Sequence, residues 1–441
     1  MFKVFYKYSA CIKVCTSDVS ILFDPWFGDN AYDGTWTQYP KYENIFELVG
    51  EFDYIYISHI HPDHYCKDTL KSLFDKYGEK KILIADWGKN HTNYLERKLA
   101  SDGFQDLLEI SNKKRLGNTL LDIIPNKTGS KSDIDSAIVV SSKVTKHALL
   151  NINDCIYNKF LFKKIIKLKE ELDVDFNLFC LGYTGAGPYP QTYYSPKLEK
   201  EILIQKSEEK KLSFFNRYKK AISEIPSKKR LPFAGKYLLQ GNFSKLNKFR
   251  GVADALEIKE FDKDAIIIDD NGENFFDIEK MACSKERKKL YKIPDQLYPE
   301  KEYFWREVIK FDPSKSLLKR LLIKSIFNAH NKSECEINCF FSIYVYDTPD
   351  ELEEIWNVLK PQEIYEPLIT FNCNKNEEPL KICHKSIIHS HIFLEKKALF
   401  AVLTGITHWN NYEVGSVFQV RRVPDLHNQE MQNYLNFLSV I

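Results

Sequence analysis

The sequence predicts an α/β protein: an αββα sandwich over residues 1–290, followed by a smaller α+β domain over residues 291–441. Three observations carry this expectation. The apolar run Tyr54-Ile55-Tyr56-Ile57 reads as a buried strand and leads straight into the polar loop Ser58-His59-Ile60-His61-Pro62-Asp63-His64-Tyr65. Next, Asp68-Thr69-Leu70-Lys71-Ser72-Leu73-Phe74 places apolar residues at helical spacing, and Lys81-Ile82-Leu83-Ile84-Ala85 is strand-like again. Strand, loop, helix and strand in that order form a crossover unit with parallel strands. From about residue 290 the pattern changes, with a helical Lys315–Leu322 stretch ahead of the strand-like Phe340-Phe341-Ser342-Ile343-Tyr344-Val345-Tyr346.

The remaining elements follow in chain order. Residues 1–65 alternate short β-rich runs with turns at Asp29-Asn30 and Asp33-Gly34, which suits the first sheet of a sandwich. Ile21-Leu22-Phe23-Asp24-Pro25 is a strand that ends in an Asp-Pro turn. Ala137–Ser141 and His147–Asn151 read as paired strands, the second running into Asn153-Asp154-Cys155. The charged stretch from Glu208 to Lys220 is an amphipathic helix that covers a sheet. In the C-terminal part, Thr348 caps a helix with Pro349 at its first position and Glu351 completing a capping box, and the helix presents Leu352, Ile355, Trp356 and Leu359 on one face.

Composition bounds the function. The 63 basic and 61 acidic residues leave a net charge of +2, so nothing calls for nucleic acid. Ten cysteines lack paired zinc spacing, and Met1–Phe5 starts a strand instead of a signal peptide. A reducing cytoplasmic location is the expectation. No apolar run approaches the roughly 20 residues that span a bilayer.

The chemistry concentrates in residues 59–64. Three imidazoles and a carboxylate behind one strand are hard to explain by packing, and a loop at the carboxyl end of a parallel strand is where open α/β sheets carry their sites. His59 and His61 can point to one side while the turn brings Asp63 and His64 to an adjacent position, an arrangement able to hold one or two divalent transition metal ions, iron or zinc. Gly182-Tyr183-Thr184-Gly185-Ala186-Gly187-Pro188-Tyr189 offers backbone amides and aromatic faces. Tyr183, Gly185, Gly187 and Tyr189 are candidates for binding a phosphate or sugar; the competing reading is a tight structural loop.

The HxHxDH pattern resembles the metallo-β-lactamase superfamily. The resemblance implies that Asp24 braces the metal loop by holding the second ring nitrogen of a ligand histidine, and that Asp154 is the carboxylate shared between two metals. Asp63 and Asp154 are then the catalytic carboxylates of a ligand set His59, His61, Asp63, His64 and Asp154. Phe23–Trp26, Tyr54–Tyr65, Asp135–Val140, Asn151–Cys155, Tyr183–Pro190, Pro232–Gly235 and Arg421–Asp425, taken together, resemble the metallo-β-lactamase part of the CMP-N-acetylneuraminate hydroxylases and their bacterial relatives.

Two departures qualify what this implies. That family carries a Rieske iron–sulfur module with CxH and CxxH ligand pairs, and neither pair occurs in these 441 residues, so an oxygenase here needs a separate electron donor or draws its electrons from the substrate. The family also has a histidine shortly before Asp135-Ser136 and another after Gly235. This chain reads Thr128-Gly129-Ser130-Lys131-Ser132-Asp133 and Lys236-Tyr237-Leu238-Leu239-Gln240-Gly241-Asn242 in those places. Asp133 is the candidate substitute ligand for the first, and Gln240 or Asn242 for the second. Lys131 is expected near the loop, where it would repel a cation.

Three functions stay open. The first is an oxygenase- or hydroxylase-like enzyme acting on a small nucleotide-activated or phosphorylated sugar. The second is a metal-dependent hydrolase of an ester, lactone or phosphodiester, and the third a binding protein with weakened catalysis. His389-Ser390-His391 shares one strand face but has no carboxylate near it in sequence, and Cys335, Cys339 and Cys383-His384 have no obvious partners, so all are read as structural. Trp409-Asn410-Asn411 and Arg421-Arg422 are read as surface-shaping.

Overall fold

The computed structural model describes residues 1–130, 132–269, 271–381 and 388–441. The expectations placed on Lys131 and on Cys383-His384 lie outside these residues. Among the described residues, two large sheets face each other. One has eight strands in the order Ala282–Cys283, Phe275–Asp277, Lys3–Tyr8, Cys11–Cys15, Ser20–Phe23, Tyr54–Tyr56, Lys81–Ile84 and Leu108–Ile110. The other has six, in the order Lys229–Phe233, Asp175–Gly182, His147–Asn151, Ser136–Ser142, Thr119–Pro125 and Lys113–Leu116.

Alternation along the strands builds four layers. In Ser136–Ser142, Ile138 and Val140 face the opposite sheet while Ala137 and Val139 face outward onto helices. Both faces are therefore apolar, and the strand reads as an uninterrupted hydrophobic run. Phe23, Tyr56, Leu83, Leu149 and Leu178 fill the space between the sheets. Helices Lys67–Tyr77 and Tyr94–Ser101 cover the first sheet through Leu70, Leu73, Leu95 and Leu99, and helices Lys159–Leu172 and Lys200–Glu224 cover the second through Leu161, Ile165, Phe215 and Tyr218. This is the expected αββα sandwich.

The crossover unit fixes where the site sits. Ser20–Phe23, Tyr54–Tyr56 and Lys81–Ile84 are mutually parallel neighbours. The segments that leave the carboxyl ends of the first two, Asp24 and the 58–65 loop, are therefore side by side. Across the sandwich, Ser136–Ser142 runs antiparallel to His147–Asn151, with Ile138 opposite Asn151. Asp135, just before one strand, and Asp154, just after the other, thus emerge at the same end.

Beyond residue 300, helix Lys315–Lys332 and the strands Ile369–Asn372, Cys339–Tyr346, Ile388–Glu395 and Gln419–Val423 form a four-stranded mixed sheet with its own helices. Its core is continuous with Trp26, Tyr32, Trp36 and Tyr237 of the sandwich. Two details of the Thr348 helix differ from the sequence reading. Thr348 caps Glu351 as expected, but the Glu351 carboxylate returns to the amide of Asp347, not that of Thr348. The helix ends at Trp356, so Leu359 lies past it and is exposed, while Leu352, Ile355 and Trp356 are buried.

Candidate metal centre

The loop after Tyr54–Tyr56 converges the side chains singled out in the sequence. His59 and His64 are fully buried, and their rings lie 4.1 Å apart between centroids. His59 Nε2 is 2.9 Å from His61 Nδ1, so the two ring nitrogens point at one place. His64 Nε2 lies 3.5 Å from Asp154 Oδ2 and 3.7 Å from Asp63 Oδ2. One ligand atom each of His59, His64 and Asp154 falls within 4.8 Å of the others. The Asp154 side chain is 41% exposed, so this side of the cluster opens to solvent.

Asp24 has a turn conformation at φ +42° and no exposure. Its carboxylate accepts from the Ser58 amide and the Ser58 hydroxyl, both at 2.7 Å, and lies 3.0 Å from His64 Nδ1. The Ser58 hydroxyl, already donating to Asp24, is left to accept from His59 Nδ1 at 2.9 Å. Both histidines are thereby set in the tautomer that leaves Nε2 free, which is what metal ligation requires.

The second sheet supplies a residue that the sequence reading assigned elsewhere. Asp133 is not turned toward the histidines: its carboxylate accepts from the Thr128 and Gly129 amides and the Thr128 hydroxyl, closing its own loop. Asp135 faces His59 instead, with Oδ1 3.8 Å from Nε2. The signal was present in the alternation: a residue directly before a buried strand is delivered to the sheet end, whereas Asp133 sits in a Gly-Ser turn that needs an acceptor. Gln240 is likewise engaged elsewhere, donating to the carbonyls of Asp29, Gly34 and Trp36. Near the second missing histidine, Tyr237 stacks on Trp36 with ring centroids 3.3 Å apart.

Two further neighbours come from outside the motif. Tyr32 donates to Asp63 Oδ1 at 2.7 Å from a turn in which Tyr32 and Asp33 both have positive φ. The C-terminal part holds that turn. Thr407 and Asn411 hydrogen-bond to Asp33, the Trp36 indole reaches the Val414 carbonyl at 3.3 Å, and the Asn410 side chain bonds to His61.

The electrostatics are those of a cation site. Four carboxylates, Asp24, Asp63, Asp135 and Asp154, surround three imidazoles. Burial drives the His59 pKa far down, helped by the neighbouring His64 and His61. Burial would also lower His64, but Asp154, Asp63 and Asp24 outweigh it and raise its pKa, a negative field that a bound cation would satisfy in place of the ring proton. Burial, with Asp154 adding to it, pushes Asp135 up to about 8. His64 Nε2 and Asp135 Oδ1 are both buried without a hydrogen-bond partner. Orphaned polar atoms of this kind call for an explanation, and a divalent cation held by the cluster supplies one. The residues that fit one cation together are His59, His64 and Asp154, while His61, Asp135 and Asp63 each stand within 3.8 Å of one of these histidines.

The glycine-rich segment is engaged in packing. A Cβ on Gly185 would sit 2.0 Å from Phe214, and Tyr183 is buried against Gly235. The Gly187 carbonyl accepts from Gln191, and Tyr189 reaches Asp425 at 3.4 Å. His389 and His391 stack at 3.9 Å and bond to the hydroxyls of Ser342 and Tyr344. No helix among the described residues is long and apolar enough to cross a membrane.

No protein-family model matches the chain. A Mycolicibacterium smegmatis protein named as a Rieske 2Fe-2S iron–sulfur protein is 28% identical over 49% of this chain and 40% of its own length. The human inactive cytidine monophosphate-N-acetylneuraminic acid hydroxylase is 25% identical over 54% of this chain and 45% of its own. The Danio rerio hydroxylase is 25% identical over 52% and 37%. The matches thus take in less than half the length of these relatives. Among solved structures, CmlA, a diiron β-hydroxylase from Streptomyces venezuelae, aligns at 14% identity over 60% of this chain and 52% of its own, with a TM-score of 0.40. An isothiocyanate hydrolase from Delia radicum gut bacteria aligns at 12% over 61% and 97%, with a TM-score of 0.39. From its two-sheet topology, its histidine loop and these sequence relatives, the chain is a metallo-β-lactamase-fold protein related over about half its length to the CMP-N-acetylneuraminate hydroxylases.

Proposed function

We propose that the chain is a metal-dependent enzyme of hydroxylase type, with iron in the histidine loop. The observation that carries the reading is the grouping of His59, His64 and Asp154, whose ligand atoms lie within 4.8 Å of one another. Two imidazoles and one carboxylate form a donor set used by non-haem iron oxygenases and by zinc hydrolases alike, and the names of the sequence relatives favour the first. When bound, the metals would supply redox or Lewis-acid chemistry at the solvent-open side of the cluster. The chain's own residues do the rest. Asp24 and Ser58 fix the ring tautomers, Tyr32 orients Asp63, and Asn410 of the C-terminal part steadies His61.

Asp63 and Asp154 are the candidate catalytic carboxylates, and Asp154, being exposed, is the one that meets solvent and substrate. The names of the sequence relatives support a small sugar-nucleotide substrate. These 441 residues contain neither Rieske ligand pair, so the reading includes a separate electron donor. The division near residue 290 is proposed as two domains that share the wall of this site.

The test compares two assays on protein purified without oxygen and assayed for metal. Bound iron and oxygen uptake that depends on an added reductase support the reading. Bound zinc with steady hydrolysis of an ester, lactone or phosphodiester, and no need of reductant, would replace it with a hydrolase. Silence in both assays would leave a binding protein.

A further inference from the structure

Each histidine of the loop has two ring nitrogens, and one has to be held if the other is to face a cation. The sandwich provides for two of the three rings: the Asp24 carboxylate lies 3.0 Å from His64 Nδ1 and the Ser58 hydroxyl 2.9 Å from His59 Nδ1. His61 is served differently. Its Nδ1 is turned toward His59 Nε2 at 2.9 Å, and the hydrogen bond its ring makes outside the loop is with the Asn410 side chain, in the C-terminal part.

The segment that carries Asn410 is fixed on both sides. Helix Trp409–Val414 is capped by His408, whose Nδ1 accepts from the Asn410 amide at 3.2 Å, and it is anchored by the buried Trp409, which stacks on Phe418 with ring centroids 5.1 Å apart. Toward the sandwich, Thr407 and Asn411 hydrogen-bond to the Asp33 carboxylate, and the Trp36 indole donates to the Val414 carbonyl at 3.3 Å. Gly415 comes so close that a Cβ there would stand 2.6 Å from Thr35 Oγ1. The turn that receives these contacts has Tyr32, Asp33 and Gly34 all at positive φ, at 50°, 59° and 82°. Left-handed backbone is unfavourable for Tyr and Asp, so the turn persists because its surroundings hold it. Gln240 holds it from the other side, donating to the Gly34 carbonyl at 2.9 Å.

We infer that Asn410 is a positioning residue of the metal centre: its side-chain oxygen accepts the Nε2 proton of His61, which leaves the Nδ1 lone pair for a cation, and the C-terminal part thereby sets the metal affinity of the histidine loop. This rests on the reading of that loop as a metal centre. A neutral imidazole carries one ring proton, so an acceptor at Nε2 settles which nitrogen is free. The coupling is reciprocal: whatever factor the docked segment adds to metal affinity, bound metal adds to the docking of the segment. Metal occupancy is thus communicated to the C-terminal part through one hydrogen bond. Asp33 acts on the same bond from the sandwich side, by holding Thr407 and Asn411 on either side of Asn410.

The experiment uses the full chain with zinc(II) alone as the probe and chelator competition as the measure of affinity. Asn410→Leu keeps the volume and removes the acceptor, and it should weaken zinc binding by about 10-fold or more while urea unfolding of the metal-free protein stays near wild type. A merely structural role would move the unfolding midpoint and leave the affinity unchanged. Asn410→Asp keeps an acceptor in place and should hold zinc at least as well as the wild type. Asp33→Ala should weaken zinc binding in the wild-type background and add nothing to Asn410→Leu. Amide hydrogen exchange across residues 409–415 should slow when the wild-type chain is loaded with zinc, and this readout stands if a variant fails to fold. Equal zinc affinity in wild type and Asn410→Leu, an Asn410→Asp variant as weak as Asn410→Leu, or exchange that zinc does not slow would each overturn the inference while leaving the metal centre standing. A wild-type chain that binds no zinc, iron(II) or manganese(II) would remove the metal centre itself, and the inference with it.

Discussion

Asp24→Asn separates the role of a charge from the role of a shape. In the wild type, the carboxylate accepts from the Ser58 amide and hydroxyl at 2.7 Å and holds His64 Nδ1 at 3.0 Å, and Ser58 in turn accepts from His59. Every proton in this chain of bonds points toward Asp24, so both ring lone pairs face the metal position. An amide nitrogen in place of one carboxylate oxygen donates where the wild type accepts. It reverses the His64 bond, or the Ser58 bond and with it His59, and places a proton on an Nε2 that must bind metal. Losing one such supporting partner costs about 10–100-fold in metal affinity, or about 1.4–2.7 kcal/mol. Because Asp24 governs two histidines, the upper end is expected. The fold should persist, since the change is isosteric and one mismatched buried hydrogen bond costs about 1–3 kcal/mol. Chelator competition on wild type and variant measures the affinity, and urea unfolding of both metal-free proteins measures the fold. Unchanged metal affinity in the variant would refute the tautomer argument.

Other expectations follow from the same geometry. Asp135→Asn should weaken metal binding, while Asp133→Asn should retain the metal and only loosen the 128–133 loop; equal retention by both in elemental analysis would remove Asp135 from the ligand set. Tyr32→Phe removes a hydrogen bond to the Asp63 carboxylate and should destabilise the metal-free protein by about 1–3 kcal/mol, and the loaded protein by less, because the cation takes over that carboxylate. This is read from unfolding with and without metal. Burial, with His389 alongside, lowers His391 to about 4. The unfolded chain binds that proton from its ordinary value of about 6.5 downward and the folded chain does not, so this contribution to stability is present at neutral pH and is lost as pH falls from about 6.5 to 4. His391→Gln should flatten the stability profile in that window, and an unchanged slope would show that His391 is not its source.

The sequence by itself determined the sandwich and its site end. Unbroken apolar runs rich in β-branched residues, such as Ala137–Val140, favour strands buried on both faces, and a polar histidine loop behind such a strand emerges at the sheet end. His59, His61, Asp63 and His64 were legible because they are neighbours in the chain. Asp24 and Asp154 were legible because each follows a strand that a resemblance could align. What the tertiary structure decided depends on distance along the chain. Whether Asp133 or Asp135 meets His59 turns on two residues of loop geometry, settled by Thr128 and Gly129 amides that need an acceptor more than the site does. Tyr32 and Asn410 reach the loop from segments 29 and 349 residues away from His61, through a turn held by Thr407 and Asn411. Cys335 and Cys373, 38 residues apart, came within 3.6 Å between sulfurs only through the packing of the C-terminal sheet. Local patterns report what a residue's own strand or helix demands, and contacts between distant segments are decided by packing, which no local window contains.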